Sequence, residues 1–229
     1  MIPMLILYLL RRLDKTSFLY RKINDLKKLV LKLKVLLVLV IAPTLYAANI
    51  NPDNIVKYNV VRNNKVIGTI QITCNSIDDA VTYILESNIK AKYILSLNIS
   101  GKEISVFKNG FLVYSSVLRT LNNKTKTNHT IIYKNGQYQL EINDEFKRLG
   151  LDKIQENLVS LYFSEPKDLK YIFCDNLKQM VNIQSLGKGK YKVSFSNGKH
   201  NIFHYKEGKC IKIEANSSLF SVTLIPVKP

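Results

Sequence analysis

Past residue 55, hydrophobic and polar side chains alternate one for one in short runs, and the runs are closed by pairs such as Asn-Gly. A period of two is the signature of a strand with one buried face. Residues 190–215, KYKVSFSNGKHNIFHYKEGKCIKIEA, show it best and predict three strands joined by two tight turns. Asn197-Gly198 is a strong hairpin signal, because a type I′ turn needs φ > 0 at both central residues and Asn and Gly accept that cheaply. Glu207-Gly208 is a second turn of the same length. With both read as two-residue turns, Val193 faces Ile202, Tyr191 faces His204, and Ile202 faces Ile213. One face then gathers Tyr191, Val193, Phe195, Ile202, Ile211, Ile213 and Ala215 with His200 and His204, leaving Phe203, Tyr205 and Cys210 on the polar side.

The same logic runs through the rest. Residues 56–62 and 66–75 flank Asn63-Asn64-Lys65 as a hairpin, and 80–92 and 92–107 are long β-branched and aromatic strands. Asn109-Gly110 and Asn135-Gly136 close two more hairpins. In the second, Ile131, Tyr133, Tyr138, Leu140 and Ile142 share a face. Gly68 and Gly101 interrupt strands, where glycine often marks a bulge or bend. Residues 119–128, rich in Asn, Lys and Thr, read as a mobile loop, and 146–157 as a stretch with room for one short helix. Residues 158–163 form an apolar, aromatic run ended by Ser164-Glu165-Pro166. Further strands fall at 171–174, 180–185 and 220–225. The expectation is an all-β domain: an antiparallel meander of about twelve strands. With almost no helix to cover it, the sheet rolls into a half-barrel or barrel and covers itself.

The first 47 residues break the pattern. Lys27, Lys28, Lys32 and Lys34 precede the apolar run 35–41, and Ala42-Pro43-Thr44-Leu45-Tyr46-Ala47-Ala48 follows. Positive, apolar, then small is the order of a secretory signal. The apolar run is shorter than the ~20 residues a membrane span needs. Cleavage is expected after Ala47, although Leu45 fits the small-residue rule poorly. The domains are therefore residues 1–47, an extension and signal peptide, and 48–229, one β domain. The location is periplasmic or secreted, with membrane contact only through the leader if it stays uncleaved.

Charge changes the picture less than its size suggests. Lys and Arg number 34 against 17 Asp and Glu. The leader carries 9 basic and 2 acidic residues, so the remainder keeps a net charge of +10. The excess is mostly Lys and is spread along the chain, whereas nucleic-acid readers concentrate charge and use Arg at base edges. Nucleic acid is not an expected partner.

The candidate chemistry is thin. His200 and His204 lie four residues apart on one strand, about 13 Å by strand rise, too far to share an ion. No metal or other cofactor is expected. Cys74, Cys174 and Cys210 are widely spaced and read as small buried hydrophobes, with one disulfide open among them. Asp78-Asp79 and Asp144-Glu145 sit at turns. Glu165, between an aromatic run and Pro166, is the one carboxylate with another possible role. No serine elbow, phosphate loop or zinc helix appears. The ligand candidates are His204 as a polar point in an apolar cavity, Tyr191 beside it, Phe203 and Tyr205 among lysines, and Glu165.

Three stretches carry a resemblance. Tyr58-Asn-Val-Val-Arg-Asn-Asn-Lys-Val-Ile-Gly68, then Tyr162-Phe163-Ser164-Glu165-Pro166, then residues 191–208 resemble a secreted all-β family of Bacteroidota, over about residues 56–225. That resemblance implies no particular activity. In outline the chain is also similar to periplasmic lipoprotein carriers, half-barrels with an apolar concavity and a helical lid, for which this chain has hardly any helix. The expectation is a binding module holding a lipid, another apolar ligand or an envelope component. The alternatives are a filled-core structural protein of the envelope, and a hydrolase built on Glu165 and His204 with Tyr191. The balance leans away from an enzyme.

Overall fold

The structure, a computed structural model, describes residues 55–92, 96–216 and 221–227. All of them fall within one unit, Asn51–Pro229. The expected leader lies outside the described residues.

The strands are β1 (Ile55–Arg62), β2 (Lys65–Ile77), β3 (Ala80–Lys92), β4 (Ser96–Lys108), β5 (Phe111–Leu121), β6 (Lys124–Lys134), β7 (Gln137–Ile142) and β8 (Glu145–Leu149), then β9 (Tyr171–Cys174), β10 (Gln179–Gly187), β11 (Lys190–Ser194), β12 (His200–Lys206), β13 (Lys209–Asn216) and β14 (Ser221–Pro226). They form a single 14-stranded sheet in the order β8-β7-β6-β5-β4-β3-β2-β1-β14-β13-β12-β11-β10-β9. Every strand pair is antiparallel. Two meanders, β1–β8 and β9–β14, are thus welded where β1 meets β14, and the sheet is not closed, because β8 and β9 remain as its edges.

Turn chemistry sets the register. Both central residues have positive φ at Asn63-Asn64 (47°, 60°), Asn109-Gly110 (51°, 78°), Asn122-Asn123 (50°, 62°), Asn135-Gly136 (54°, 79°), Asn143-Asp144 (50°, 65°) and Glu207-Gly208 (52°, 76°). That is the type I′ condition, whose twist matches the flanking strands. The expected strands over 80–107 are present, with Ala80 opposite Lys108 and Lys92 opposite Ser96. Ile131 faces Leu140 and Tyr133 faces Tyr138, as the alternation requires. At Gly68 the β1–β2 register shifts between Val60 and Val61, the expected bulge.

Several expectations are corrected. The 119–128 stretch is not a loop: β5 and β6 run through it to the Asn122-Asn123 turn, whose two Asn tolerate φ > 0 as Asn-Gly does. No helix forms over 146–157. In the 190–215 stretch the pairing differs from the one read off the turns. Val193 lies opposite Asn201, Tyr191 opposite Phe203, and Ile202 between Lys192 and Glu214. The cause is a three-residue loop, Ser196–Gly198, closed by Phe195 N–H donating to the Lys199 carbonyl at 2.8 Å. A bulge between His204 and Tyr205 adds a second shift. One residue of slip exchanges the faces of a strand. Phe203, Tyr205 and Cys210 are therefore buried, while Ile211 is exposed and His204 points outward beside Lys190 and Lys212.

The crossing from β8 to β9, residues 150–170, decides what the rolled sheet encloses. Its middle, residues 157–161, runs through the interior, while Asp152, Lys153, Lys167 and Asp168 on either side stay exposed. Leu112 N–H donates to the Ile154 carbonyl at 2.7 Å, and Leu158 N–H to the Phe173 carbonyl at 3.0 Å. The apolar run 158–163 is not a strand but a plug carrying a 3-10 turn, Ser160–Tyr162. Val159 and Leu161 are buried in the main core with Tyr58, Ile72, Val193, Phe203 and Ile213. Tyrosine hydroxyls hold the crossing. Tyr138 donates to the Leu112 carbonyl (2.9 Å) and accepts from Ile154 N–H (3.0 Å), while Tyr205 donates to the Leu161 carbonyl (2.5 Å). These bonds satisfy backbone groups that irregular chain would otherwise leave unpaired.

Candidate functional site

The inner face carries an unexpected charge pair. Cross-strand pairing builds it in rows: Leu85, Glu103 and Val117 in one, Ser87, Gly101 and Arg119 in the next, Ile89, Ile99 and Leu121 beyond. Glu103 is only 7% exposed, and Arg119 donates to its carboxylate. The Arg119 side chain remains 45% exposed. Burial works against the charged guanidinium, but Glu103 outweighs it and the pKa of Arg119 is raised. Gly101 lies opposite Arg119 in the ladder. A Cβ there would stand 2.8 Å from Ser87 Oγ and in ordinary contact, 3.7 Å, with Arg119 Cγ, so the guanidinium stem lies directly over the bare glycine.

Two cavities meet at this pair. One, about 270 Å³, is lined by Glu103, Arg119, Asp175, Phe195, Lys199 and Asn201 among others. The other, about 210 Å³, is lined by Glu103, Arg119, Ile70, Leu85, Ile89, Ile99 and Phe203 among others. They share Glu103, Arg119, Leu158 and Asn201, and so form two arms of one cleft between the meanders. The smaller arm is the more apolar of the two, and a cation stands at the junction.

Beneath the polar arm lies a buried knot. Asp175, in the β9–β10 turn, is 2% exposed. It accepts from Ser115 Oγ, from Asn157 Nδ2 at 2.9 Å, and from Ser105 Oγ at 3.5 Å. Its backbone carbonyl meets His129 Nε2 at 3.0 Å. These contacts bring β4, β5 and β6 against the far end of the sheet, which shows how tightly it rolls. Burial, and then the Glu103 carboxylate, push the Asp175 carboxyl up to about 7. Burial also lowers the pKa of His129, with Lys178 and Arg119 acting in the same sense and the bond to the Asp175 carbonyl opposing.

The residues singled out from sequence are divided by the sheet. Tyr191 OH donates to Glu165 Oε1 at 2.9 Å, so those two do meet. Tyr191 stacks edge-on against Tyr205 (5.6 Å between centroids), and Phe203 against Tyr162 (6.0 Å). Phe203 lines the cleft, and Tyr205 serves the plug. His204 is on the other face, where its Nε2 lies 3.2 Å from Glu214 Oε1 without hydrogen-bond geometry. Burial lowers its pKa and Glu214 opposes that. With Tyr191 opposite Phe203 and His204 between Lys190 and Lys212, the Glu165–His204 hydrolase has its two groups on opposite sides of the sheet. The three cysteines are free, and burial raises the thiols of Cys174 and Cys210 to about 11, which suits a packing role. Among the described residues no cluster of His, Cys, Asp and Glu could hold a metal ion.

Glu103, Arg119, Asp175 and Asn157 went unread. For the first two a signal existed, since strict alternation from Phe107 back to Ile99 puts Glu103 on an inward position. Asp175 and Asn157 meet only through the roll of the sheet, and nothing local announces them.

Comparison with solved structures gives a likeness of fold. The crystal structure of a β-barrel-like protein of a domain of unknown function, DUF1849, from Brucella abortus matches at TM-score 0.50 and 10% identity, covering 76% of this chain and 95% of that one. Among curated proteins no match is found. The family model that matches spans residues 58–227, the whole described sheet but for its first strand's opening residues, and the chain belongs to that family, the domain of unknown function DUF6134.

Proposed function

We propose that the protein is an exported binding module that holds a small anionic amphiphile in the cleft at Arg119. The observation carrying this reading is the guanidinium itself. It is a half-exposed cation on the inner wall of a rolled sheet, aimed by buried Glu103, with an apolar arm running from it past Leu85, Ile89 and Ile99. A concave, mostly apolar site with a few placed polar groups is what small-molecule binding requires. A carboxylate or phosphate head would take the exposed part of the guanidinium, a bidentate geometry Arg favours, and Lys199 lines the polar arm on the other side of it. The apolar tail would lie along Ile89 and Ile99. The leader, positive then apolar then small, supports export, and intact mass of the secreted protein tests cleavage after Ala47.

A filled-core structural protein of the envelope is the second reading. The plug over 158–163 favours it, as each arm of the cleft is below 300 Å³. Native mass spectrometry of protein purified from its producing organism separates the two. A co-purifying acidic amphiphile, lost in Arg119→Gln, supports binding. Uniformly empty protein supports the filled core.

A further inference from the structure

The largest cavity among the described residues shares no lining residue with either arm of the cleft. It holds about 620 Å³ at the end of the rolled sheet where the β1–β2 turn lies, β3 ends and β4 begins. Arg62, Lys65 and Lys90 line it with Ile67, Ala91 and Leu97, and among the described residues none that lines it is acidic. Val66, at the tip of the β1–β2 hairpin, is 59% exposed. The opposite end of β2 is different in kind, for Ile77 there adjoins Asp78 and Asp79.

The inward row of the apolar arm points toward this end. Ala91 pairs with Leu97 one step beyond Ile89 and Ile99, on the same inward face. From Gly101, where Arg119 lies, to Leu97 is four residues, or about 13 Å by strand rise, the reach of roughly ten methylenes. A row of inward apolar side chains, Ile99 then Leu97 on one strand and Ile89 then Ala91 on the next, therefore runs from the guanidinium toward the cations and the exposed valine. Cations around an apolar tip are the chemistry that recognises an anionic bilayer surface.

We propose that the end of the sheet bearing Lys65, Val66 and Lys90 docks on an anionic lipid surface, and that the ligand of the Arg119 cleft enters there. The docking stands on its own geometry. Only the identity of what enters there rests on the binding reading above.

The chain contains no tryptophan, so one introduced indole reports on one place. Val66→Trp in the full chain is mixed with vesicles of phosphatidylcholine alone or blended with phosphatidylglycerol, at low and high salt. A blue shift confined to the anionic vesicles and abolished by salt is expected. Adding Lys65→Glu and Lys90→Glu should weaken the vesicle partition roughly tenfold or more, given the weight of each basic residue near a charged surface. Ile77→Trp, also exposed (72%) but about 35 Å further along β2 by strand rise, should not shift. No shift at position 66, an equal shift at 77, or a shift indifferent to the charge reversals would overturn the proposal. Arg119→Gln should leave the shift intact while removing capture of soluble ligand, so failure of the cleft reading and failure of docking give different results.

Discussion

Asp175 offers the sharpest test of how the rolled sheet is held. Its carboxyl is buried, faces Glu103, and has three donors but no cation bonded to it. Its pKa rises from 3.8 to about 7 on folding. Below 3.8 both native and unfolded chains carry the proton, and the native state has no penalty. Between 3.8 and 7 the native state keeps a proton that the unfolded state has released, so stability falls as pH rises. Above 7 both are ionised and the loss is complete. At about 1.36 kcal/mol for each tenfold in proton affinity, ionisation costs the fold about 4 kcal/mol. Asp175→Asn removes the titration while keeping acceptor and shape. It should cost about 1 kcal/mol at pH 4, where it disturbs the Asn157 contact, and be the more stable protein at pH 8. The readout is urea unfolding of both proteins across that range, taken as the difference at each pH so that His129, whose lowered pKa works in the opposite sense, cancels. Parallel stability curves would refute the account of Asp175 as a proton-linked fastening between the β9–β10 turn and strands β4 and β5.

Three further outcomes follow from the same contacts. Tyr138→Phe removes the hydroxyl that serves both Leu112 and Ile154, and should lower unfolding free energy by about 1–3 kcal/mol, with hydrogen exchange rising first at Ile154 N–H. Gly68→Ala would place a Cβ 2.3 Å from the Asn88 carbonyl oxygen and 2.6 Å from Ile89 Cα, both backbone, so a thermal melt should show a loss of about 2 kcal/mol or more. Gly101→Val adds γ-methyls beyond a Cβ that would already touch Arg119 Cγ at 3.7 Å and crowd Ser87 Oγ at 2.8 Å; calorimetry should find the fold intact within about 2 kcal/mol and ligand capture weakened, because the methyls press on the guanidinium stem.

What the sequence made legible was set by how locally each feature is encoded. Asn63-Asn64, Asn109-Gly110 and Asn135-Gly136 each fix a turn with two residues, and the strands around them follow. Asn197-Gly198 looks the same but sits in a three-residue loop, since Phe195 N–H and the Lys199 carbonyl close the hairpin one step further out. The bulge at His204 has no local marker either, as it is set by contact with a neighbouring turn: Tyr205 N–H donates to the Gly189 carbonyl at 2.7 Å. Those two shifts moved Phe203 and Tyr205 from the polar side to the core. The plug failed for the opposite reason. Residues 158–163 are as apolar as any strand, and their place inside the sheet depends on Tyr138, Tyr205 and Asp175, all distant in the chain. Glu103 and Arg119 were within reach of alternation alone, being charged residues at inward positions.

The most direct measurement is a calorimetric titration of the purified protein with decyl phosphate and, in parallel, with decyl trimethylammonium. An anionic head and an apolar tail of that length match the distance from Arg119 to Leu97. The expected result is saturable one-to-one binding of the phosphate, none of the ammonium, and loss of binding in Arg119→Gln with its fold unchanged. Equal binding of both amphiphiles, or binding of the phosphate undiminished by Arg119→Gln, would contradict it.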